Sequence, residues 1–115
     1  MIIDAHAHIT EGLHGRTVRG RTKSLGYGKF QAGAEELRLT PPLGPQTSFP
    51  PELLLEYMDC VGVDKTVLLQ GSTYGESNEY LWRAVQQWPD RFIAAAFLDP
   101  RAADARDMFR RATEK

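Results

Sequence analysis

The sequence predicts an α/β fold carried by a parallel sheet, and three observations predict it. Two stretches, Lys65 to Gln70 and Arg91 to Leu98, are almost continuously apolar, the pattern of strands covered on both faces. Between and after them lie segments whose apolar residues recur at helical spacing. The resulting order is strand, loop, helix, strand, helix, strand, helix, which calls for right-handed crossovers between parallel strands. Two closures fit it: an open doubly wound sheet, or part of an eight-stranded barrel. A complete parallel barrel takes roughly 250 residues, so 115 residues with three strand-helix units make only part of one.

The first strand lies in Met1-Ile2-Ile3-Asp4-Ala5-His6-Ala7-His8-Ile9 and reads as buried. From about Thr10 to Pro51 glycines and prolines recur without a sustained helical or alternating pattern. A loop of that length inside a compact domain is usually functional or disordered. Regularity returns at Glu52 to Val61, where Leu53, Leu54, Tyr57, Met58 and Val61 form one stripe; Pro51 suits a first helical turn and Gly62 a stop. Cys60, inside that helix, is expected to be a packed thiol. After the short strand Lys65 to Gln70, Ser77 or Asn78 caps a second helix that presents Leu81, Ala84, Val85 and Trp88 and ends at Pro89-Asp90. The strand Arg91 to Leu98 follows. From about Ala103 a third helix places Ala105, Met108, Phe109 and Ala112 on one face.

Composition narrows the class. With 42% hydrophobic and 25% charged residues the chain reads as one soluble globular domain. A formal net charge of -1 gives no overall attraction to nucleic acid or to an anionic membrane, so neither is expected as a partner, and either would need a local basic patch. One cysteine excludes an intrachain disulfide and suits a reducing compartment. No signal-peptide pattern and no apolar run near the roughly 20 residues of a membrane span are present, so a cytoplasmic location is expected.

The chemistry-bearing feature is the pair His6 and His8. Side chains two apart on a strand project the same way, so both imidazoles can meet one metal ion. The alternatives are solvated polar residues near a terminus, or a core histidine with both nitrogens satisfied. Asp4 is two residues from His6 and is a candidate acceptor that orients an imidazole; otherwise it bonds nearby backbone at the strand end. Arg16, Arg19, Arg21, Lys23 and Lys29 make the long loop basic. Such a cluster matches a carboxylate-bearing substrate, and its plainer reading is a set of solvated loop charges. Tyr27 and Phe30 with their glycines suggest a mobile lid. Gln70 and Asp99, at the ends of the later strands, point to the same mouth or satisfy turn backbone. Gly71-Ser72-Thr73-Tyr74-Gly75 has threonine where a nucleophile elbow needs serine, and Gly26-Tyr27-Gly28 lacks the third glycine of a dinucleotide fingerprint. No nucleotide cofactor is implied.

Taken together, Ile3-Asp4-Ala5-His6-Ala7-His8, the run Leu54 to Lys65, Val67-Leu68-Leu69-Gln70-Gly71, and Trp88-Pro89-Asp90-Arg91-Phe92 through Leu98-Asp99-Pro100 resemble the amidohydrolase superfamily. Within it they are similar to the amidohydrolase-related branch that includes aminocarboxymuconate-semialdehyde decarboxylase. The resemblance covers nearly everything outside the long loop. It implies the first three strand-helix units of a (β/α)8 barrel, with His6 and His8 as two ligands of a divalent metal, zinc above all. Such an ion lowers the pKa of bound water or polarises a carbonyl. The further histidine and aspartate that relatives use come from later strands absent here, and His14 does not stand in for them.

The implied function is the N-terminal portion of a metal-dependent hydrolase or nonoxidative decarboxylase acting on a small carboxylated molecule. Two alternatives accompany it: a catalytically silent fragment or assembly module, and a TatD-like metal-dependent nuclease, which shares an early His-x-His. Open sheet edges also lead us to expect self-association or a complementary chain.

Overall fold

A computed structural model describes residues 1–39 and 42–114. In chain order the elements are β1 (Ile3–Ala7), β2 (Arg16–Thr17), β3 (Gly20–Gly26), β4 (Lys29–Ala32), β5 (Glu35–Arg38), α1 (Pro51–Val61), β6 (Lys65–Leu68), α2 (Asn78–Gln87), β7 (Phe92–Ala94) and α3 (Ala105–Thr113). They make two sheets, a parallel one ordered β1-β6-β7 and an antiparallel one ordered β2-β3-β4-β5. The parallel α/β expectation holds. The three strands do not close into a barrel.

Local chemistry explains the helices. Pro51 opens α1, where its missing N–H leaves no helical bond unmade, and Gly62 ends it in the left-handed region at φ 77, with its N–H on the Met58 carbonyl. The α1 stripe inserts Leu54 and Met58 against Leu68, and α2 adds Leu81 and Ala84. Phe92 on β7 closes this core, edge-on to Trp88 with ring centroids 5.9 Å apart. Buried Thr66 is not left unpaired, since its hydroxyl donates to the Asp4 carbonyl and ties β6 to β1.

Several expectations need correction. The helices cover one face of the parallel sheet only, so Ile3 and Ile93 stay half-exposed, at 50% and 54%. An apolar run alone does not say whether both faces are covered. The last strand is short, Phe92–Ala94. Cys60 is exposed, because α1 buries the Leu54 and Met58 side and leaves Tyr57 and Val61 outward. No residue of α3 is fully buried; Met108 and Ala112 overlie a cleft of about 340 Å³ against α2 and β7, and Phe109 is exposed.

The largest departure is the segment read as a loop from Thr10 to Pro51, which holds β2 to β5. Residues Leu13, Phe30 and Ala32 form a second small core with Leu37, Leu39 and Tyr74 against it. Phe30 is therefore packed in a sheet, and Tyr27 sits exposed at the β3-β4 turn with φ 55. The excursion is closed at its neck: Thr10 and Phe49 exchange both backbone hydrogen bonds, at 2.9 and 2.8 Å. Among the described residues no helix is long and apolar enough to cross a membrane.

Candidate functional site

The first imidazole pair forms at the C-terminal end of β1. The Nε2 atoms of His6 and His8 lie 3.0 Å apart, with ring centroids at 4.8 Å and the planes nearly perpendicular. His8 is oriented by two groups beyond β1. Its Nδ1 lies 2.9 Å from the Leu69 carbonyl, just past β6. A carbonyl only accepts, so Nδ1 carries the proton and Nε2 presents its lone pair. On its face His8 stacks with Tyr74, centroids 5.0 Å apart at 29°. Burial pushes the Tyr74 phenol above its ordinary pKa of 10.0, so it stays protonated.

Two nitrogens on one tetrahedral zinc at about 2.05 Å stand about 3.3 Å apart, so the observed pair needs only a slight opening to share an ion. The donor chemistry fits as well, since His8 has the tautomer a ligand requires and a carbonyl behind it. The set stops at two. Among the described residues no group of three or more His, Cys, Asp or Glu side chains converges to hold a metal.

The other expected residues fall elsewhere. A register shift between Asp4 and Ala7 breaks the simple alternation along β1. The Asp4 carboxylate accepts the His6 backbone N–H at 3.0 Å, which is the strand-end alternative and not an imidazole contact. His14 turns to the Glu76 carbonyl, 3.1 Å away, with its ring against Gly75. Gln70 spans Asn78, Ser77 N–H and the Ala95 carbonyl, so it organises turn backbone. Asp99 bonds the backbone and side chain of Arg101, which hold its pKa below the ordinary carboxylate value.

The basic cluster is brought together, but not at the imidazoles. Arg16 lies directly across from Arg21, and Lys23 follows two residues on. Thr22, between them, points the other way, buried, with its hydroxyl on the Thr73 carbonyl at 2.8 Å. Alternation therefore sends Arg16, Arg21 and Lys23 to the sheet face turned from Tyr74 and His8. Arg19, in the β2-β3 turn, pairs with Glu35 at 3.1 Å.

Residues that sequence reasoning missed line the approach to His8. A cleft of about 520 Å³ beside it is walled by Leu54, Tyr74 and a stacked pair, Phe49 and Tyr57, with centroids 5.9 Å apart. Gly15 lets the excursion approach: a Cβ there would collide with the Ser72 and Gly75 backbone, and Arg16 N–H bonds the Ser72 carbonyl at 2.7 Å. No spacing rule links Tyr74 or Leu69 to His8; sixty-odd residues of chain separate them.

The fold and the paired imidazoles define the class no more finely than an α/β chain with two imidazoles converging at the end of a parallel strand. No family model matches the chain, and no curated protein matches it. Among solved structures it is similar to a probable 2-pyrone-4,6-dicarboxylic acid hydrolase from Acinetobacter baumannii with citric acid bound. The TM-score is 0.56 at 18% identity, over 96% of this chain and 34% of that one. At that identity the likeness shows the fold, and the chain spans 34% of that structure's length.

Proposed function

We propose that this chain forms the first part of a (β/α)8 metal-dependent hydrolase or nonoxidative decarboxylase of the amidohydrolase type. Its substrate would be a small carboxylated molecule. The observation that carries the reading is the convergence of His6 and His8 Nε2 at the end of a parallel strand, with His8 fixed by the Leu69 carbonyl. The solved structure with a similar fold supports it, since that protein is described as a hydrolase of a dicarboxylic acid. A divalent ion, zinc first, would be held by His6 and His8 and would supply Lewis acidity and a lowered water pKa. The chain's own residues do the rest: Leu69 sets the His8 tautomer, Tyr74 holds its ring, and the cleft behind Phe49 and Tyr57 shelters an apolar substrate body from water. No nucleotide cofactor enters the reading.

One observation favours a second reading, a chain that binds metal without turnover unless further polypeptide completes it. The ligand set stops at two among the described residues, and one face of the parallel sheet is uncovered. Further strands, in the same polypeptide or a partner copy, would supply both the missing ligands and the cover. Elemental analysis across size-exclusion fractions tests the proposal, with His6→Ala/His8→Ala alongside. Weak zinc binding that vanishes in the double variant is expected. Zinc retained at full stoichiometry by the variant would overturn the assignment of the ligands.

A further inference from the structure

The antiparallel excursion separates charge from the rest of the chain. It carries Arg16, Arg19, Arg21, Lys23, Lys29 and Arg38 against Glu11, Glu35 and Glu36, in a protein whose formal net charge is -1. One face of this sheet collects most of the cations. Arg16 stands opposite Arg21, and Lys29 opposite Arg38, two like-charged cross-strand pairs. Lys23 lies on the same face, and its only acid there among the described residues is Glu36, opposite Gln31. Like charges directly opposite on a sheet destabilise it, so the arrangement favours an anionic surface laid over it.

The same chain offers such a surface. Glu52 and Glu56 sit one turn apart on the exposed side of α1, another like-charged pair that costs helix stability. Among the described residues none of Arg16, Arg21, Lys23, Glu52 and Glu56 makes an ion pair. The spacings agree: four helical residues rise about 6 Å, and two strand residues about 6.7 Å, so Glu52 and Glu56 can meet Arg21 and Lys23 in step.

We propose that the cationic face of the β2-β3-β4-β5 sheet docks the acidic face of α1 on a second copy of this chain. The contact relieves both like-charged arrays at once. It is independent of the metal site and distinct from any association through the uncovered parallel sheet, because salt acts on the two in opposite ways. Ion pairing weakens as the screening length falls from about 10 Å at 0.1 M salt to about 3 Å at 1 M, whereas apolar association does not.

The test is sedimentation equilibrium of the whole chain at 0.1 M and 1 M salt, with two charge-reversal variants, Arg21→Glu/Lys23→Glu and Glu52→Lys/Glu56→Lys. The expected result is a mass at least doubled at low salt, reduced to one chain at high salt. Each variant alone should be a single chain at both salts, and an equimolar mixture of the two should regain the doubled mass. That rescue also shows both variants are folded. A mass unaffected by salt, association that strengthens with salt, or a mixture that stays at one chain overturns the proposal. So does a wild-type chain that stays single at low salt yet is retained by anionic phospholipid vesicles.

Discussion

Replacing Asn78 by alanine should destabilise the chain more than its half-exposed position suggests. The Asn78 amide makes three hydrogen bonds at the carboxyl end of the parallel sheet. Its Oδ1 accepts from Gln70 Nε2 and from Phe97 N–H, both at 2.7 Å, and its Nδ2 donates to the Phe97 carbonyl at 2.9 Å. The side chain thus acts as an extra rung that fastens the chain after β7 to the turn after β6. At about 0.5–1.5 kcal/mol net per bond, the loss comes to about 2–4 kcal/mol. Unfolding entropy of about 2.1 cal/mol/K per residue makes this a fall in Tm of about 8–16 °C for a chain of this length. Thermal unfolding followed by far-ultraviolet circular dichroism reads it directly. Asn78→Asp keeps both acceptor positions, loses the donor and sets a carboxylate beside the Phe97 carbonyl, so it should fall between wild type and alanine. A drop under about 4 °C for alanine, equivalent to about 1 kcal/mol, would mean that water replaces the amide and that the rung is not structural.

Three other predictions concern single side chains. Thr47 is fully buried at φ 54, a conformation costly for a β-branched residue, and its hydroxyl donates to the Lys29 carbonyl at 2.7 Å. Thr47→Val should cost about 1–3 kcal/mol in urea unfolding, and Thr47→Gly about 1 kcal/mol less than that because the strain is released; a glycine variant less stable than the valine one would refute this. Tyr80 is pushed up to about 12, first by burial and then by Glu11 and Glu52. Its raised folded pKa contributes stability that is intact below the ordinary value of 10.0 and is lost as pH rises towards 12. Ultraviolet difference titration should show Glu11→Gln/Glu52→Gln lowering the value while leaving it above 10.0, and a return all the way to 10.0 would show that burial is not the main cause. Tyr74→Ala should weaken zinc binding roughly 10-fold or more by freeing the His8 ring, read by calorimetry; unchanged affinity would show that the Leu69 carbonyl alone positions it.

The parts of this fold that sequence reveals are those whose cause is local. Pro51 and Gly62 bracket α1, Leu81 and Ala84 mark the α2 stripe, and the strands at Lys65 and Phe92 follow from apolar runs. The antiparallel sheet escaped because β4, where Phe30 and Ala32 do alternate inward, is only four residues long, and the inward positions of the longer β3 are not apolar. Along β3 they are Thr22, Ser24 and Gly26, and the two hydroxyls meet backbone at Thr73 and Leu13. Along β3 alternation was present in structure and absent in hydropathy. The candidate site divides the same way. His6 and His8 were legible from period-two geometry, and the bulge that separates Asp4 from them was not. The Leu69 carbonyl could not have been read at all, since a backbone acceptor carries no residue identity.

The double hydrogen bond between Thr10 and Phe49 has an engineering consequence. Residues that exchange both bonds in an antiparallel pair stand about 5.5 Å apart, so the ends of the segment between them meet at a neck about as wide as the pitch of one helical turn. The segment's length can change at the β3-β4 and β4-β5 turns while β1 and α1 keep their ends in place, because a loop's closure cost changes only slowly with its length. A short glycine linker from Thr10 to Phe49 would join residues already adjacent. Such a graft keeps His6, His8 and Leu69 and removes the cationic sheet, and it also strips Tyr74 of Leu13, Phe30 and Ala32 and of the bonds that hold the turn from Ser72 to Tyr74, so the excursion is a buttress of the His8 ring as well as an appendage.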